Sequence, residues 1–293
     1  MSFQELLDKE RFLIIAELEP PKGVDTSDFL KNADSLRGRA HAVLVPEMSG
    51  AIMRMASIGA SSLLKQKGIE AIVSMNCRDR NRLALQADML SASSLGLKNL
   101  SISQGDDITS GDHIEAKPVN DLDVVGLLEA IKKLQKGIDV AGNDLSGIPQ
   151  FCVGSEVNAG LTGGALQLEV IEMEKKIKAG ANYFFTPTIY DMKALEDFVK
   201  KVAPFKVSVF PRITILNSVG MARFMSRHMD GVLIPEEVLN RLGKAPDKTK
   251  EGIAIAAETI QKLRTICRGV LLVAIGGQER LVTVLDQVGS LTV

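Results

Sequence analysis

The chain has 293 residues, 45% of them hydrophobic and 24% charged, enough to bury one large core or two modest ones. Its 35 Lys and Arg against 36 Asp and Glu leave a net charge of −1, so no overall field draws it to nucleic acid or to an anionic membrane. The lack of Trp argues against a base-stacking surface, no apolar run reaches the roughly 20 residues of a spanning helix, and Cys77, Cys152 and Cys267, scattered and without a secretory leader, fit a reducing cytoplasm.

Short β-branched or apolar runs alternate with longer stretches in which apolar residues recur at three and four, the pattern of parallel strands joined by crossover helices. In chain order, strands are expected over 12–18, 42–45 and 70–75, with a helix over 53–67 between the last two. A helix over 81–94, a strand over 97–103, a helix over 122–136 and a strand over 150–154 follow. Then come a helix over 166–179, a strand over 181–186, a helix over 192–201 and a strand over 206–213. Helices over 218–228 and 249–266, a strand over 269–275 and a helix over 278–287 complete the series. Eight such units without a central break predict the α/β class and one (β/α)8 TIM barrel domain over 1–293, with an open doubly wound sheet as the runner-up. The polar segment 107–121 reads as a long functional or mobile loop after the fourth strand.

Residue types at the strand ends narrow the chemistry. Glu17 and Glu19 lie two apart at the end of the first strand, and alternation puts both carboxylates on one side. Inside a barrel mouth, burial and mutual repulsion would raise a pKa toward that of a general acid; on the rim either is an ordinary solvated residue. Asp106, after Gly105, either tunes a planar ligand approached by bare backbone or closes an Asx turn. Cys77-Arg78-Asp79-Arg80-Asn81-Arg82 reads first as an ion-pair net and helix cap, with a phosphate or carboxylate contact as the alternative. Lys175 and Lys176 are either a charged helix end or a reach toward a nucleotide phosphate. No P-loop, dinucleotide fingerprint, nucleophile elbow or His-pair metal motif occurs, which demotes hydrolytic and metal chemistry.

These motifs, in this order, resemble the methylenetetrahydrofolate reductases, flavoproteins built on a (β/α)8 barrel. Glu17-Leu18-Glu19-Pro20-Pro21 resembles the family's Glu-x-x-Pro-Pro, and Cys77-Arg78-Asp79-Arg80-Asn81 its single-domain bacterial members. Gly96-Leu97-x-Asn99-Leu100 with Gly105-Asp106, Lys176-x-x-Ala179-Gly180-Ala181 and Gly231-Val232-x-Ile234-Pro235 match further signatures. The resemblance implies FAD as cofactor and flavin-dependent reduction of 5,10-methylenetetrahydrofolate to 5-methyltetrahydrofolate, in one-carbon metabolism and methionine biosynthesis.

By the same resemblance, Glu17 is the acid that protonates the folate N10, and Asp106 sits beside flavin and pterin. Gln104, Gly105, Asp106, Asn76, Asn158 and Lys176 contact the cofactor, and Glu17, Asp106, Thr186 and Thr188 the substrate. The chain departs from the family pattern in having Ser74-Met75-Asn76 where a His is usual, and Gly154-Ser155-Glu156-Val157-Asn158 in place of Tyr-Pro-x-x-His-Pro. It also has Thr186-Pro187-Thr188 in place of Thr-Gln. Those changes fall on nicotinamide and flavin contacts, so the electron donor is either NAD(P)H or a redox partner protein. A non-catalytic accessory barrel that binds folate or docks a redox partner is the alternative reading, and a folate or corrinoid methyltransferase a third. Homo- and hetero-oligomers both remain open.

Overall fold

In the computed structural model, which describes residues 2–9 and 12–289, strand and helix alternate around a closed ring. The order is α1 (Phe3–Leu7), β1 (Leu13–Glu17), α2 (Ser27–Leu36), β2 (Ala42–Val45), α3 (Ser57–Gln66), β3 (Ala71–Asn76) and α4 (Arg82–Ser94). It continues through β4 (Asn99–Ser103), α5 (Val124–Leu134), β5 (Cys152–Glu156), α6 (Gly163–Ala179), β6 (Tyr183–Thr188) and α7 (Met192–Val202). The last third holds β7 (Ser208–Thr214), α8 (Val219–His228), α9 (Glu236–Lys244), α10 (Lys248–Leu263), β8 (Gly269–Val273) and α11 (Arg280–Val288). Every neighbouring pair of strands is parallel, and β8 returns to β1 with Leu13 opposite Gly269 and Ile15 opposite Leu271. That last pairing decides for the (β/α)8 TIM barrel over the open sheet. No described helix is long and apolar enough to cross a membrane.

Alternation along the strands makes two cores. Outward residues such as Ile14, Ala16, Val43 and Val73 pack under the helices, while Leu13, Ile15, Leu44, Ile72 and Leu271 fill the barrel. Being covered on both faces, β1, β2 and β8 are apolar almost throughout.

Helices α1, α2 and α9 lay outside the expected elements. The first is a single five-residue helix closed by a Ser2/Glu5 capping box, too short to show periodicity. The second is mostly polar, with Phe29, Ala33 and Leu36 buried and Leu30 packed half-buried against the core. Helix α1 plugs the N-terminal end of the barrel. Phe3 is wholly buried and meets Tyr183 edge to face at 5.3 Å between centroids, with Phe210 at 6.4 Å. Those rings need room, and two strand glycines supply it: a Cβ on Gly154 would lie 2.1 Å from the Tyr183 ring, and one on Gly269 2.6 Å from Phe210.

The same inward rows change character toward the strands' C-terminal ends. Ile15 is succeeded by Glu17, Gly154 by Glu156, Phe210 by Arg212 and Ile72 by Ser74. One end of the tube is therefore packed with rings and the other is lined with charge.

Candidate active site in the barrel mouth

The charged end opens as a cavity of about 530 Å³ whose wall includes Glu17, Glu156, Arg212, Asp106, Thr188 and Phe185. Its position at the carboxyl ends of the strands is where barrels of this kind place their sites.

Glu17 is only 6% exposed. Arg212 Nη1, reaching across from β7, lies 3.4 Å from Glu17 Oε2, and its Nη2 lies 3.8 Å from Glu156 Oε1 at the end of β5. Burial pushes the Glu17 carboxyl above its ordinary range; Arg212 pulls it back, and Glu19, Glu156 and Asp106 push it further up. Glu156 is raised by the same walls, with Arg212 opposing, but its side chain is 52% exposed along the open mouth, so water moderates the push. The three groups form one coupled unit of two carboxylates around a guanidinium. Arg212 Nε is buried without a hydrogen-bond partner. Neither Arg212 nor Glu156 was singled out in the sequence. A readable signal existed: each is a charge two residues beyond a barrel-filling position, near the C-terminal end of a buried strand.

The other acids of the wall are committed. Glu19 pairs with Arg54 at 2.8 Å, and Glu47 pairs with Arg80 at 2.7 Å while also accepting from Ser57 N–H. Arg80 also holds Asp88, Arg78 holds Asp79 at 2.6 Å, and Arg82 holds Asp121. Asn81 caps α4 by accepting from the Leu83 and Ala84 N–H groups. The arginine-rich stretch is thus the net and cap its composition suggested. Asn76 belongs to that net, donating to Asp79 and accepting from the Asp79 N–H, and it is 1% exposed.

Beyond β4, Gln104, Gly105 and Asp106 line the mouth and also a second cavity of about 340 Å³, which Ile108, Ile114, Ala116 and Pro118 make partly apolar. Gly105 has φ of +90°, and a Cβ there would strike Arg78 at 2.9 Å, so this turn admits little else. Asp106 Oδ2 accepts from Gly50 N–H at 2.7 Å, and Gln104 donates to Asn120. Segment 107–121 folds back over this region. Asp112 pairs with Lys22 and accepts from Met53 N–H, and Val119 N–H donates to Arg78.

The remaining candidates sit around β5 and β6. Thr188 reaches the cavity wall and shares a 2.6 Å hydrogen bond with Thr214. Thr186 is buried behind it, donating to the Pro187 carbonyl. Asn158 closes a turn onto Gly160 N–H, and Lys176 donates to the Glu156 carbonyl at 2.8 Å, anchoring the end of β5. Glu17, Gln104, Gly105, Asp106 and Thr188 therefore share one cavity, whereas Asn76, Asn158, Lys176 and Thr186 lie behind or beside its wall. Phe224 and Met229 of the α8 segment form an exposed apolar rim.

Residues 2–289 match the family model of methylenetetrahydrofolate reductase. The "methylenetetrahydrofolate reductase 2" of Schizosaccharomyces pombe is 26% identical over 245 residues, which are 79% of this chain and 37% of the yeast protein. The chain thus spans just over a third of the length of that curated relative. Among solved structures, an uncharacterised protein from Clostridium thermocellum that binds two copies of 5-methyl-5,6,7,8-tetrahydrofolic acid superposes with a TM-score of 0.67 at 14% identity, covering 98% of both chains. EDTA monooxygenase from Chelativorans sp. BNC1 gives 0.58 at 10% identity, over 95% of this chain and 92% of its own. Both share the fold.

Proposed function

The chain belongs to the methylenetetrahydrofolate reductase family, and we propose that its barrel mouth binds a reduced folate and reduces the methylene bridge of 5,10-methylenetetrahydrofolate. The observation that carries this reading is Glu17, a buried carboxyl in the cavity wall whose surroundings favour its protonated form. The folate-binding Clostridium thermocellum protein on the same fold supports the ligand class.

The mouth and the second cavity share Gln104, Gly105 and Asp106, one roomy and the other partly apolar, which fits a flavin of extended shape. Ser103, Gln104, Gly105 and Asp106 would hold it, and when bound it would supply the hydride that converts the bridge carbon to a methyl group. Its electrons come from NAD(P)H or from a redox partner protein; fast reduction by NADH alone selects the first.

The chain's own residues do the acid and electrostatic work. Glu17 gives its proton to the folate N10, the bond from N10 to the bridge carbon breaks with its electron pair staying on nitrogen, and a cationic iminium forms at N5. Glu17, now anionic, Glu156 and Asp106 surround that cation in a mouth where Arg212 is the one wall cation among the described residues, so charge developing in the transition state meets charge of opposite sign already in place. Phe224, exposed on the rim, offers flat apolar surface to the ring systems. Thr188 and Thr214 add a hydroxyl pair deep in the wall.

The test is the purified protein itself. Its spectrum should show a flavin band that reductant bleaches and methylenetetrahydrofolate restores. A protein that cannot be reconstituted with flavin, or whose reduced flavin ignores the folate, overturns the assignment and leaves an accessory folate-binding barrel in its place.

A further inference from the structure

We infer that Glu156 and Arg212 together form the subsite that reads the pyrimidine edge of the pterin, an inference that rests on the folate reading above. The argument starts from hydrogen-bonding capacity. Arg212 carries five N–H donors, yet its ion-pair distances of 3.4 and 3.8 Å are longer than a good hydrogen bond, and its Nε has no partner. No described group donates a hydrogen bond to the Glu156 carboxylate, and its side chain faces the cavity half exposed. A guanidinium and a carboxylate left short of partners, side by side in a cavity wall, can be satisfied by a ligand that offers them two donors and an acceptor in a row.

A 2-amino-4-oxopteridine has that edge: the 2-amino group and N3–H donate, and O4 accepts. The carboxylate of Glu156 takes the two donors and Arg212 gives to O4. The matching edge of a flavin carries oxygen on both sides of N3–H, which would set an oxygen against the Glu156 carboxylate. The subsite therefore prefers a pterin to a flavin edge. The other wall carboxylates are less free for this work. Glu19 and Glu47 are spent on Arg54 and Arg80, Asp106 is tied to Gly50, and Glu17, paired more closely with Arg212, is the acid assigned to N10. The placement also leaves Glu17 beside the ring, because Arg212 spans the gap between the two carboxylates.

The test compares 6-methylpterin with 6-methyllumazine, which has an oxo group in place of the 2-amino group, by calorimetric titration or by competition against 5-methyltetrahydrofolate. The wild-type chain should bind the pterin about 10- to 100-fold more tightly, since the lumazine sets an oxygen against the Glu156 carboxylate in place of a donor. Glu156→Gln should bring the two ligands to within about threefold of each other, and Arg212→Lys should weaken both, because O4 is common to them. Thermal melting of each variant checks that it folds. A Glu156→Gln protein that keeps the wild-type preference overturns the inference, as does a wild type with no preference that still binds 5-methyltetrahydrofolate. A wild type that binds no folate at all overturns the reading beneath it.

Discussion

The two ends of the barrel are built from the same inward rows of the same strands, and they differ in what those rows are for. At the floor, Phe3, Tyr183, Phe185 and Phe210 interlock, and the Tyr183 hydroxyl, the one polar group among these rings, donates to the Leu100 carbonyl at 2.8 Å. At the mouth, Glu17, Glu156 and Arg212 stand with ion-pair distances that leave hydrogen-bonding capacity unused. The floor fills space and the mouth holds charge in reserve.

That division can be broken or sharpened by substitution. The largest expected effect is at the mouth: Glu17→Gln should lower methylenetetrahydrofolate turnover by about 10²- to 10⁴-fold, the usual worth of a positioned general acid, while the protein still folds. Single-turnover oxidation of the reduced flavin by the folate measures it, and a variant with near wild-type rate would move the acid elsewhere.

Next comes the floor. Tyr183→Ala removes a wholly buried ring and the hydrogen bond its hydroxyl gives to the Leu100 carbonyl, for a loss of about 3–5 kcal/mol in denaturant unfolding. A loss below about 1 kcal/mol would mean the aromatic plug does not carry the barrel.

A third prediction joins the two ends through pH. The folded chain raises the Glu17 pKa above its ordinary 4.5, so between that value and the raised one the native state holds more proton than the unfolded state. Stability must fall as pH rises across that window and stay reduced above it. Glu17→Gln cannot titrate, so its melting temperature minus that of the wild type should grow from pH 4 through neutrality. A difference that shrinks instead would mean Arg212 outweighs burial.

The smallest effect tests the arginine-rich net as plain structure. Asn81→Ala removes a helix cap and should cost about 1 kcal/mol in thermal or denaturant melting. A much larger loss of turnover than of stability would give that stretch a part in the chemistry.

Much of the scaffold was readable. The apolar runs at β1, β2 and β8 announce strands covered on both faces, and helices such as α5 and α10 show their buried stripe in the spacing of Leu127, Ile131 and Leu134, or of Ile253, Ala256 and Ile260. Helix α2 was not readable because its few apolar residues are scattered among polar ones, and α1 is shorter than any period. In the site, Glu17 and Asp106 stood out by neighbours close in sequence. Arg212 and Glu156 did not, because Arg212 on β7 lies 195 residues from Glu17 and 56 from Glu156 along the chain, and only folding brings the three together.

The sequence by itself determined the alternation of strand and helix, the parallel α/β arrangement and the helix cap at Asn81, because each follows from local period, burial pattern or near neighbours. Tertiary structure alone decided that β8 closes on β1, that rings fill one end of the tube, and that two carboxylates from β1 and β5 share one guanidinium from β7. Closure sets which inward residues face each other across the barrel, and no spacing along the chain encodes that distance.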